Sequence, residues 1–195
     1  MKKLLGLAIV FLFAAPVAVA GITGTAHDLS GNGWGTNQIC IFCHTPHNAK
    51  TPQLIPLWNH ASTTQTFTLY TSATLNATPG QPAGVSKACL SCHDGVTAID
   101  SYGTGTGTHL MTGTAKLGTD LSDDHPVSFT YDAALATADG GLVSPASASQ
   151  VVAGIPLFAT KLECGSCHAV HDNTNSPFLR ASNAASALCL KCHVK

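Results

Sequence analysis

Residues 164–171 are Cys-Gly-Ser-Cys-His-Ala-Val-His, and the same arrangement of two cysteines and two histidines recurs at residues 40–47 as Cys-Ile-Phe-Cys-His-Thr-Pro-His. A shorter form, C-x-x-C-H, lies at residues 89–93 and 189–193. All eight cysteines of the chain fall in these four motifs and none is left over. They are Cys40, Cys43, Cys89, Cys92, Cys164, Cys167, Cys189 and Cys192.

The C-x-x-C-H spacing is the one that covalent haem attachment requires. Two thiols add to the two vinyl groups of one haem, and the imidazole of the next residue then lies under the iron as its proximal ligand. Four motifs therefore predict four covalently bound haems c, each with its iron. The predicted proximal ligands are His44, His93, His168 and His193.

Three other uses of paired cysteines explain the pattern less well. A disulfide framework gives no reason for a histidine after every second cysteine. A zinc site needs four ligands and does not account for the identical fifth residue. A thioredoxin-like redox motif lies between a strand and a helix, and none of the flanking segments has that pattern.

The remaining histidines are candidates for the sixth ligand of each iron. Methionine can also fill this position, but Met111 is the only methionine after the first twenty residues. Four irons with two histidine ligands each are therefore the economical prediction, and such irons leave no vacancy for a substrate. The six candidates are His27, His47, His60, His109, His125 and His171.

The six candidates differ in their positions relative to the motifs, and these positions suggest which of them are ligands. His47 and His171 stand three residues after a proximal ligand, at most about 11 Å along an extended chain. That link is too short to reach the far face of the same haem, so each would serve another haem if it is a ligand. His125 precedes a proline, which favours an extended backbone, and His27 lies just before the first motif. His60 and His109 remain as alternatives.

The first twenty residues have the pattern of a secretory signal peptide. A basic start is followed by an uncharged run from Leu4 to Ala20 that ends in small residues, which predicts cleavage before Gly21. The alternative, a membrane anchor, requires about 20 apolar residues and does not suit Pro16 near the end of the run. Residues 21–195 are then a single tetrahaem cytochrome c domain without a membrane span.

The composition of the chain predicts few regular elements. Only 10% of the residues are charged, against about 25% in ordinary soluble proteins. Without Lys2 and Lys3, seven basic residues face ten acidic ones, so nucleic acid is not an expected partner. The segments between the motifs are rich in Gly and Thr, and we expect the haems to supply the core that such segments lack.

The predicted fold is mostly coil with short α-helices and few short strands, a multihaem cytochrome c fold whose core is the four haems. Alternating apolar residues predict strands within residues 66–70 and 127–131. An Ala-rich run predicts a helix over residues 183–192, with Ser182 or Asn183 as its N-cap.

The motifs together resemble those of exported multihaem cytochromes with doubled C-x-x-C-H motifs, and in particular the OmcE-type tetrahaem family that polymerises into extracellular conductive filaments. The resemblance spans residues 21–195 and is carried by residues 26–29, 40–48, 56–59, 89–95, 124–127, 164–171 and 188–193.

This resemblance implies a continuous chain of four bis-His haems c that delivers respiratory electrons to acceptors outside the cell. It also implies that one axial histidine crosses into the neighbouring subunit. By matching position, the sixth ligands would be His27, His47, His125 and His171. His27 is our first candidate for the crossing ligand because it lies near the predicted mature N-terminus, and His60 is the next.

Three classes of function compete on these observations. The first is a polymerising extracellular electron conduit, whose partners are copies of itself, other cytochromes or extracellular electron acceptors. The second is a soluble periplasmic tetrahaem shuttle, which usually docks through a charged patch that this chain lacks. The third is a multihaem reductase, which needs an open iron. The surplus of histidines argues against an enzyme.

Overall fold

The computed structural model describes residues 21–51, 55–146 and 151–194. The predicted signal peptide, residues 1–20, lies outside the described residues. The prediction of a mostly coil chain with short helices and few short strands is confirmed. Within the described ranges, no helix is long and apolar enough to cross a bilayer.

Each C-x-x-C-H motif begins on a short helical turn. Helix α1 spans Gly84–His93 and carries the second motif, and helix α3 spans Cys164–Cys167 in the third. Helix α2, Ala133–Asp139, carries no motif. The helical turn places two cysteines that are three residues apart on the same side of the backbone. The 3₁₀ turns are Leu29–Asn32, Ile39–Phe42, Gly113–Ala115, Ala184–Ser186 and Cys189–Lys191.

Among the described residues, six two-residue strands form three separate pairs. β1 (Thr68–Leu69) runs parallel to β2 (Asp120–Leu121), and β3 (Phe129–Thr130) runs antiparallel to β6 (Lys161–Leu162). β4 (Val151–Val152) pairs with β5 (Ile155–Pro156). The two predicted strands exist as β1 and β3, but each is shorter than its alternating pattern because its partner is only two residues long.

The helix predicted over residues 183–192 is wrong. This segment forms two 3₁₀ turns instead, and Ala185 breaks the helical path with a φ of 50°. None of the residues in either turn is buried. Helices in proteins are stabilised mainly by packing of one face, so the high helix propensity of alanine does not suffice here.

The described residues contain two small clusters of buried apolar side chains, and single buried side chains such as Phe42 and Trp58 lie outside them. The larger cluster brings β3, β4, β5 and β6 together around Tyr131, whose hydroxyl donates to the Val143 carbonyl at 2.8 Å. The smaller cluster packs Leu90 of α1 against Phe67 and Leu121. Both clusters lie beside the motifs, so the polypeptide alone provides little core.

Helices α1 and α3 pack together and bring the second and third motifs side by side. Cys89 of α1 and Cys164 of α3 are the first cysteines of their motifs. The packing of the two helices therefore brings two predicted haem attachment points close together, although 74 residues separate them in the sequence.

Candidate functional site

Three of the four predicted proximal histidines are oriented by backbone carbonyls. The Nδ1 atom of each ring is hydrogen-bonded to a carbonyl of a loop that follows its motif, which leaves Nε2 with the lone pair that a metal needs. The bonds join His44 to Pro56 O at 2.7 Å, His93 to Ala115 O at 2.7 Å and His168 to Pro177 O at 3.0 Å.

Each of three proximal histidines also faces one of the predicted sixth ligands. The ring centroids of His44 and His171 are 6.1 Å apart. Those of His93 and His27 are also 6.1 Å apart. The rings of His193 and His125 are separated by 6.3 Å. Every one of these pairs joins residues that are distant in the sequence.

The ring spacing provides a test of whether these residues fit a haem iron. Two imidazoles that share one metal at about 2.0 Å per nitrogen have centroids about 6.4 Å apart. The three observed separations of 6.1 to 6.3 Å are close to that value. Direct stacking of the rings would bring them closer, so the gap has the size of an intervening metal.

The surroundings of His27 fit the same role. Its Nδ1 atom is buried, and among the described residues it has no hydrogen-bond partner. The ring stacks on Phe178 with centroids 4.6 Å apart. Burial, and then the neighbouring His93, lowers the pKa of His27. The ring is therefore neutral at pH 7, which is the form that binds iron.

His60 and His109, the two alternatives, face no proximal histidine. His60 is 1% exposed, its Nδ1 is hydrogen-bonded to Ala61 O at 2.7 Å, and its Nε2 lies 3.6 Å from the Cys92 sulfur. His109 is bound to Asp100 through Nδ1 at 2.8 Å. Both rings thus have partners that are not candidate iron ligands, and His60 packs against a haem attachment point instead.

His47 and His168 remain without a facing imidazole. Both are exposed, and neither takes part in any ring pair among the described residues. His168 nevertheless lines a cavity together with Cys164 and Cys167 of its own motif. The structure therefore brings three predicted ligand pairs together within one chain and leaves the fourth apart.

The cysteines are free for haem attachment. All eight are free thiols. In the described part of the chain, no group of three or more His, Cys, Asp or Glu side chains is placed to hold a metal ion by itself.

Comparison with protein families supports this interpretation. Residues 156–195, which contain the third and fourth motifs, match the family model described as the doubled CXXCH motif. The match supports a multihaem c-type cytochrome, because C-x-x-C-H motifs indicate covalent binding of haem c. A search of curated proteins gave no match to this chain. That it binds four haems, and that the named histidines are the ligands, stays a prediction.

We expect electron paramagnetic resonance of the oxidised, assembled cytochrome to show two kinds of low-spin iron. The planes of His44 and His171 are 22° apart, whereas the other two pairs are close to perpendicular, at 83° and 75°. The angle between ligand planes sets the splitting of the iron d orbitals, so the two arrangements give different g values. A single kind of signal, or a substantial high-spin signal at neutral pH, would contradict this assignment.

Proposed function

We propose that this cytochrome is an electron conduit that is exported, polymerises head to tail outside the cell and transforms no substrate. Each bound haem would supply a reversible one-electron couple. The protein would contribute two cysteines and two histidines to each haem and would keep neighbouring haems in contact. Its expected partners are further copies of itself, other cytochromes and extracellular electron acceptors.

The observation that carries this proposal is a difference between the two C-x-x-C-H-x-x-H motifs. The second histidine of one motif faces a proximal histidine of the same chain, and that of the other does not. The second histidine of the third motif, His171, faces His44 inside the same chain. The second histidine of the first motif, His47, is exposed, and it faces no ring among the residues that the structure describes. One ligand donor and one iron site thus remain at the surface of each subunit.

A neighbouring subunit can join these two. If His47 of one copy binds the iron held by His168 of the next copy, every iron has two histidine ligands. Each subunit then donates one histidine to one neighbour and receives one histidine from the other neighbour. Such a contact is heterologous, and a heterologous contact that does not close into a ring generates filaments. The low charge of the chain lowers the desolvation cost of packing copies together.

The geometry argues against His27 as the crossing ligand, which was our first choice from the sequence. Its closeness to the mature N-terminus suggested a segment free to reach a neighbour. Instead, the ring is half-buried between Phe178 and the His93 site of its own chain. His60 is not favoured either, because its ring is buried and hydrogen-bonded within its own subunit.

The alternative function is a soluble periplasmic shuttle. A shuttle would need His47 to reach the His168 iron of its own chain, or would leave that iron with another ligand. The OmcE-type resemblance favours the conduit, and so does the absence of a charged docking patch in the sequence. The two functions differ in where the protein is found and in whether it polymerises.

Two measurements on the native protein test the proposed function. Intact mass of the secreted fraction should correspond to residues 21–195 with four haems and no free thiol. Electron microscopy of the same fraction should show filaments. A mass that corresponds to fewer haems would contradict the tetrahaem assignment, whereas a tetrahaem monomer confined to the periplasm would indicate the shuttle.

A further inference from the structure

The contact between the second and third motifs contains a buried carboxylate. Glu163, the only glutamate in the chain, immediately precedes Cys164 and is 3% exposed. It lines the same cavity as Cys167 and His168. Ionisable side chains are rarely buried unless they are paired or have a function.

Two serine hydroxyls donate to this carboxylate. The Ser86 hydroxyl of α1 donates to Glu163 Oε2, and the Ser128 hydroxyl donates to the same oxygen at 2.8 Å. The backbone N–H of Cys164 donates to Ser86 Oγ at 3.0 Å, which directs the serine proton toward the glutamate. All three side chains are buried. One carboxyl oxygen has the two lone pairs that these two donors need.

No cation neutralises Glu163 among the described residues. The one ion pair of that part of the chain joins His109 to Asp100. Polar groups thus solvate Glu163 without cancelling its charge. Glu163 is also the N-cap residue of α3, in a capping box with Ser166. Neutral side chains could supply the same links between α1 and the third motif, so what a glutamate adds at this position is its charge.

We propose that Glu163 is a positioning residue for electron transfer that acts through its charge, lowering the reduction potentials of the second and third haems. It lies between the two attachment points because Ser86 is three residues from Cys89 and Glu163 adjoins Cys164. A buried negative charge favours the oxidised, more positive iron over the reduced one, and low dielectric strengthens the effect. This inference rests on the proposed function only in requiring that both motifs carry haem.

Spectroelectrochemical titration of the purified holoprotein tests this role, with the variant Glu163→Gln. The variant keeps the shape and an acceptor oxygen but removes the charge. We expect the part of the titration curve that belongs to two of the haems to move to higher potential, and the rest to stay in place. At a fixed potential within that part, the ratio of reduced to oxidised haem should rise on the order of tenfold, as for one partly screened unit charge.

Asp120→Asn is the matched control, because it removes the same charge from an exposed carboxylate. An unmoved curve in Glu163→Gln, or an equal movement in Asp120→Asn, would overturn the inference. If Glu163→Gln does not acquire its haems, Glu163→Leu replaces it. Leucine removes the same charge and introduces no polar group that would have to be satisfied when buried, so a shift in the same direction is expected, and no shift refutes the role.

Haem content is measured by mass in every preparation before the titration. Failure of the proposed tetrahaem function would appear as missing mass in the unaltered protein. Failure of the role of Glu163 would appear as an unmoved curve in protein that carries its full complement of haems. The two failures are thus distinguishable.

Discussion

Replacing His47 with Ala is expected to abolish filaments while three of the four irons stay six-coordinate and low-spin. The three ring pairs inside each chain do not involve His47, so their spacing should not change. The iron held by His168 would lose its second histidine and become high-spin. Electron microscopy measures assembly, and electron paramagnetic resonance measures the spin state of the same sample.

Two histidine variants serve as controls for His47→Ala. His109→Ala removes an exposed histidine that pairs with Asp100 and faces no proximal ligand, so assembly and spectrum should both be unchanged. His27→Ala should give the opposite pattern, with filaments retained and one iron high-spin in every subunit. Normal filaments with four bis-His irons in His47→Ala would refute the crossing, and loss of filaments in His27→Ala alone would restore His27 as the crossing ligand.

The chain produced without haem attachment is expected to show no cooperative thermal unfolding. In the described part of the chain, the larger buried cluster contains six residues, the smaller one contains three, and the strands are two residues long. Chains with so small a core usually need covalent or metal staples to fold. Each of the four attached haems would supply such a covalent cross-link.

Circular dichroism during heating measures this difference, with the cysteines of the haem-free chain blocked to prevent disulfides. The holoprotein in the same buffer is the comparison and should unfold in a single sharp transition. A sharp transition in the haem-free chain would show that the polypeptide folds without its cofactors and would contradict the prediction.

The sequence was sufficient to identify the four C-x-x-C-H motifs and to predict the approximate positions of β1 and β3. It did not predict α1 as a regular helix, because the residues that α1 buries include Ser86 and Ser91. Two polar residues on the inner face remove the apolar periodicity by which an amphipathic helix is recognised. The burial of Glu163, whose carboxylate accepts a hydrogen bond from Ser86, could not be predicted from the sequence either.

The sequence could not predict which proximal histidine faces which candidate sixth ligand, and the reason is a different one. Which histidine faces which motif depends on contacts between distant parts of the chain, and the contact between His44 and His171 spans more than a hundred residues. The carbonyls that orient the proximal rings could not be predicted, since Pro56, Ala115 and Pro177 contribute only backbone atoms. Any residue type can provide a carbonyl, so no pattern marks these positions.

The pairing of His44 with His171 has a consequence for biogenesis. On a chain that is exported from its N-terminus, the first motif would emerge and receive its cofactor long before residue 171 has crossed the membrane. During that interval the first iron would have a vacant coordination site, open to small molecules of the compartment. Closing it requires a contact of very long range, which is among the slower events in folding. The first motif would therefore be the first to receive a haem, and its iron would obtain its second histidine ligand only late in maturation.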